Sequence, residues 1–128
     1  MKPRFAMTLA IAVCALSVLA QAPNDLTGNW EGESLCTVPN SPCHNEHVIY
    51  RISRDKTASG NYTISADKIV NGKPEFMGDL HCRYDLPKSS LKCLKPGIWD
   101  FTIAGDKMTG TLKLDDGTLY RKISVKKM

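Results

Sequence analysis

The chain predicts an all-β domain: a single eight-stranded antiparallel up-and-down (meander) β-barrel behind an N-terminal signal peptide. Three observations carry this. From about residue 25 onward, apolar and polar residues alternate in short runs of period two. Clusters of Gly, Asn, Asp and Pro interrupt those runs roughly every ten residues. No segment sustains a helical period long enough to compete. Eight sequential strands with short turns are expected to close on themselves, because closure removes the unpaired edges of an open sheet.

Residues 1–20 read as an address. Met1-Lys2-Pro3-Arg4 is a basic start, Phe5 to Leu19 an apolar run, and Val18-Leu19-Ala20 places small or β-branched residues at −3 and −1. The run is short for a membrane span. Bulky Val13 before Cys14 makes a poor lipidation signal. Cleavage after Ala20 would leave residues 21–128 as one exported domain, periplasmic or secreted, with no stable membrane insertion. Removing 20 of the 128 residues, Lys2 and Arg4 among them, lowers the formal charge from +4 to +2 on a chain of 108. A chain so near neutral is not expected to bind nucleic acid. Cys14 leaves as well, so four of the five cysteines remain. An even count in an exported chain reads as two disulfides, with three pairings open. Proximity favours Cys36–Cys43 and Cys82–Cys93.

The strands are expected at 28–36, 47–54, 60–70, 74–85, 90–95, 98–104, 107–115 and 118–126. In the first, Gly28, Trp30, Gly32 and Ser34 share the inward parity, with Asn29, Glu31 and Glu33 outward. In the third and fourth, the inward sets are Tyr62, Ile64, Ala66 and then Phe76, Gly78, Leu80, Cys82, Tyr84. A two-residue Asn71-Gly72 turn would oppose these sets wrongly. A three-residue Asn71-Gly72-Lys73 loop, or a bulge near Ile69-Val70, is therefore expected. Turning at Pro87-Lys88 sets Tyr84 against Leu91 and Cys82 against Cys93, which supports the second disulfide.

Gly105-Asp106 and Asp116-Gly117 have the composition of two-residue hairpin loops. The first pairs Ile103 with Met108, Phe101 with Gly110 and Trp99 with Leu112. The second pairs Leu114 with Leu119, Leu112 with Arg121, Gly110 with Ile123 and Met108 with Val125. Both put Arg121 on the inward face among hydrophobes. A buried guanidinium is costly unless paired or stacked. The alternative is a place near the rim, where it reaches solvent.

The opening Asp25-Leu26-Thr27-Gly28-Asn29-Trp30 and the closing Leu119-Tyr120-Arg121-Lys122 together resemble the ends of calycin-superfamily barrels, in particular small bacterial lipocalin-like proteins. The resemblance covers the two ends and the strand count, not the middle. It implies that Gly28, Trp30 and Arg121 close one end of the barrel, with the indole as plug and the cation across its face. Avidins and periplasmic metalloprotease-inhibitor barrels open on a similar motif. The external helix and long first loop of full-length lipocalins are not visible here, and no biotin site is carried over.

Cys36, Cys43, His44 and His47 have spacings that zinc could use, with His81 beside Cys82, but oxidation outside the cytoplasm favours the disulfides, so no metal and no cofactor is expected. No nucleophile elbow, zinc-protease helix or phosphate loop appears, so an enzyme is not expected. The inward aromatics Tyr50, Tyr62, Phe76, Tyr84, Trp99 and Phe101 are expected either to line a cavity or simply to fill the barrel. If they line one, Tyr50, Tyr62 and Phe76 are the candidate contacts for a small apolar or aromatic ligand at the end away from Trp30. The alternatives are a protein-binding module of the protease-inhibitor type and a structural envelope protein without ligand.

Overall fold

The structure is a computed structural model that describes Pro3 and residues 25–128. The signal-peptide assignment at residues 1–20 otherwise lies outside the described residues. Eight strands follow in order: β1 Gly28–Cys36, β2 Glu46–Arg54, β3 Asn61–Val70, β4 Lys73–Asp85, β5 Ser90–Leu94, β6 Ile98–Ala104, β7 Lys107–Lys113 and β8 Leu119–Lys127. Each pairs antiparallel with the next, and β1 pairs with β8, so the sheet closes into an eight-stranded meander barrel. This is the predicted architecture, compatible with a lipocalin-like fold.

Alternation builds the core. Trp30, Val48, Tyr50, Ile52, Ile64, Leu80, Leu91, Phe101, Ile103, Met108, Ile123 and Val125 point inward and are buried. The local registers agree with the turn chemistry. Cys82 faces Cys93 and Tyr84 faces Leu91. Ile103 faces Met108, Phe101 faces Gly110 and Trp99 faces Leu112. Both cysteine pairs, Cys36–Cys43 and Cys82–Cys93, lie at disulfide distance. Gly110 is required by its surroundings: a Cβ there would strike the Phe101 ring and the Asp100 carbonyl.

Two turns differ from expectation. Val70 pairs with Lys73, so Asn71-Gly72 is a two-residue turn after all, both residues having positive φ as a type I′ turn requires. The parity conflict is resolved farther down. Ala66 pairs with Gly78 but Asp67 pairs with Phe76, leaving Met77 as the extra residue of a bulge. Turn chemistry therefore rules the hairpin tip, and hydrophobic alternation rules Gly78 to Tyr84. The β7–β8 connection is also looser than a two-residue loop. Leu112–Arg121, Gly110–Ile123 and Met108–Val125 pair as predicted, but Lys113 pairs with Leu119 across an irregularity that bypasses Tyr120. Leu114 closes that loop through backbone bonds with Gly117 and Thr118 instead of facing Leu119.

Candidate ligand site at the barrel mouth

One end of the barrel is sealed. Trp30 is buried, and its indole N–H donates to the Leu26 carbonyl at 3.0 Å. Leu26 is itself fully buried just before β1. The cation over the indole is Lys127, with Nζ 5.9 Å from the ring centroid, and Nζ also donates to the Asp25 carbonyl at 2.6 Å. Gly28 suits this end: its φ is +123°, and a Cβ would press on the Lys127 side chain.

The expected stacking of Arg121 on Trp30 is therefore corrected. Arg121 does point inward, opposite Leu112, but it pairs with Cys36 at the far end of β1, while Trp30 pairs with Lys127. The end of β1 farthest from Trp30 is the other mouth. There the Arg121 Nη1 donates to the Ser34 carbonyl and Oγ at 3.3 Å each and to the His44 carbonyl at 3.0 Å, and Nη2 meets Glu46 Oε1 at 3.3 Å. Its Cζ lies 5.7 Å from the Tyr120 ring centroid. An inward arginine is supported here by carbonyls, a hydroxyl and a carboxylate, the alternative to aromatic stacking that desolvation demands.

Beside this cluster opens a cavity of about 220 Å³. Its polar side is Ser34, Glu46, Tyr50 and Arg121. Asp79 also borders it, with its carboxylate accepting from the Ser65 hydroxyl at 2.6 Å. Its apolar walls come from Ala66, Gly78, Leu80, Leu112, Trp99, Pro96 and Met77. Trp99 is fixed there by its indole N–H donating to the Pro96 carbonyl at 2.9 Å and by stacking on Phe101 at 6.2 Å. Burial drives the Tyr50 phenol well above its ordinary pKa, Glu46 adds to the rise, and Arg121 and a hydrogen bond with Ser34 oppose it. Tyr50 is a neutral donor at any physiological pH.

Of the three aromatics expected to contact ligand, Tyr50 lines this cavity. Tyr62 does not: it packs edge-on against Tyr84, with centroids 6.2 Å apart, and lines two separate pockets of about 250 and 460 Å³ beside Asp55 and Asn61. Phe76 does not either, since the Met77 bulge turns it to the outer face opposite Asp67, where it is 63% exposed. Sequence reasoning counted Trp99 among the inward aromatics able to line a cavity but missed Ser34 and Glu46. Ser34 carried the inward parity; Glu46 was hidden because its strand was expected to start one residue later.

The cysteine- and histidine-rich segment is dispersed. Cys36 and Cys43 face one another, and Asn45 accepts the Cys36 N–H at 2.8 Å. His47 lies on the outer face between Glu31 at 2.7 Å and Glu33 at 2.9 Å, which hold its pKa above the ordinary imidazole value. His81 meets Thr63 at 3.4 Å on another part of the outer face, near Asp55. Also outside, Arg51 makes a two-pronged ion pair with the buried Asp67 carboxylate. Among the described residues no helix is long and apolar enough to cross a membrane. No protein-family model matches this chain, and no curated protein matches it in sequence.

Proposed function

We propose that this is an exported, lipocalin-like binding protein that holds a small, largely apolar or aromatic ligand at the open end of its barrel. The observation that carries this reading is the mouth cavity: it is walled by Leu80, Leu112, Trp99 and Ala66 and bordered by Tyr50, Ser34, Glu46 and Arg121. An apolar chamber with a few convergent polar groups is the usual form of a ligand site. About 220 Å³ suits a molecule of one or two rings; an enclosed apolar cavity of ~150 Å³ already takes benzene. The reading is binding rather than catalysis. Burial keeps Tyr50 as the phenol, and Arg121 engages the Ser34 hydroxyl oxygen, so neither is set up as a nucleophile. Two cysteine pairs at bonding distance suit an oxidising compartment.

The test is uptake of an apolar fluorescent probe by the oxidised protein. Ala66→Phe projects a ring into the cavity and should abolish uptake, whereas Tyr62→Ala, distant from it, should leave uptake intact. Equal uptake by Ala66→Phe and the wild type would mean that the probe sits elsewhere, and the reading fails. A second reading, docking of a protein partner, draws on the exposed Leu35 and Val70 at the ends of β1 and β3 and on the exposed Phe76 and Met77 of β4. Loss of partner capture on Phe76→Ser, with probe uptake unchanged, would favour it.

A further inference from the structure

The polar side of the mouth limits what the ligand can be. Arg121 and Glu46 are mutual partners at 3.3 Å, and their side chains are only 11% and 20% exposed. The pair is already neutralised and mostly withdrawn from water. An anionic ligand would set a second carboxylate against the one guanidinium and force it to compete with Glu46. A cationic ligand would meet Glu46 but would face Arg121 as a like charge. A wholly apolar ligand would remove the remaining water from both ions and return nothing for it. A neutral group that accepts from a guanidinium and donates to a carboxylate escapes all three penalties.

Building on the binding reading above, we propose that the mouth selects a neutral aromatic ring bearing an adjacent hydrogen-bond acceptor and donor, the edge of a carboxamide or lactam. The acceptor is received by the Arg121 guanidinium and the donor by the Glu46 carboxylate, while the ring lies among Trp99, Leu112 and Met77. The guanidinium has five N–H groups in a fixed fork, so a carbonyl can be added to the partners Arg121 already holds. The Tyr50 hydroxyl and Ser34 lie on the same side of the cavity and make it asymmetric, so the ring enters with its polar edge toward them.

Four one-ring probes of nearly equal size separate the possibilities: benzamide, benzoate, benzylammonium and toluene, each titrated calorimetrically into the oxidised protein at neutral pH. Benzamide should bind at least about tenfold more tightly than each of the other three. Glu46→Gln, which frees Arg121 from its carboxylate, should then raise benzoate affinity above that of benzamide. The wild-type ranking stands without that variant should it fail to fold. Equal affinities for all four, or benzoate or benzylammonium binding tightest in the wild type, would overturn this selectivity while leaving the binding reading intact. Toluene binding tightest would do the same and make the cavity a purely apolar one. Failure of all four to bind would overturn the binding reading itself.

Discussion

Arg121 shows how one side chain can have the right orientation and a different partner from the one its family likeness suggests. Its parity is inward, and its energetic support is Glu46, Ser34 and the His44 carbonyl, all at the mouth. Removing it strands a mostly covered carboxylate and several acceptors. Arg121→Ala should therefore cost about 2–3 kcal/mol in denaturant unfolding. A double-mutant cycle should show coupling between Arg121 and Glu46 and simple additivity between Arg121 and Trp30. The Trp30 end should instead couple to Lys127. His47 makes a separate, pH-dependent contribution on the outer face. Hydrogen bonds to Glu31, then to Glu33, raise its pKa above 6.5. A raised folded-state pKa stabilises the protein fully below the unfolded value and loses that contribution as pH rises through the folded one. The side chain is 41% exposed, so the effect should be small and should fade with added salt. An NMR titration should return His47 toward the ordinary value in a Glu31→Gln, Glu33→Gln variant.

At the scale of the strand, the β3–β4 hairpin sets two local rules against each other. Asn71-Gly72 fits a type I′ turn, and the apolar residues of β4 call for the opposite parity. One extra residue at Met77 satisfies both, and it does so at the cavity edge, where a bulge bends the strand and takes Phe76 out of the barrel. The existence of an irregularity was legible from residue parity, but its position was not. Any place between the tip and Gly78 restores the count, and parity alone does not choose among them. The β6–β7 hairpin is the opposite case, with turn and alternation in agreement throughout. Its closest approach can be tested. Gly110→Ala inserts a methyl group against the Phe101 ring and the Asp100 carbonyl and should cost about 1–3 kcal/mol. The same change at Gly78, which has open space but a φ of +141°, should cost its backbone strain alone. The β4–β5 pairing predicts that non-reducing peptide mapping recovers Cys82 joined to Cys93 and Cys36 joined to Cys43. A Cys82–Cys36 peptide would contradict it.

For the whole barrel, seven of the eight strand pairs are joined by a turn or loop, and hairpin composition made several of their registers readable in advance. The eighth, β1 with β8, has no connecting turn, and its stagger follows only from closing the cylinder. That stagger places Trp30 level with Lys127 and carries Arg121 to the other end. It is why the candidate site was only partly legible: Tyr50 could be named from its inward parity, but its polar companions depend on which end each strand reaches. The resulting molecule has a polarity along its axis, sealed at Trp30 and open at Trp99. With one tryptophan at each end, that polarity can be read from two indole N–H signals. In a ¹⁵N NMR titration of the oxidised protein with benzamide, the Trp99 indole and the Ala66 and Leu112 amides should shift in a saturable way, and the Trp30 indole should stay in place. A Trp30 shift as large as that of Trp99, or saturation that moves neither, would contradict a barrel that binds at its Arg121 mouth.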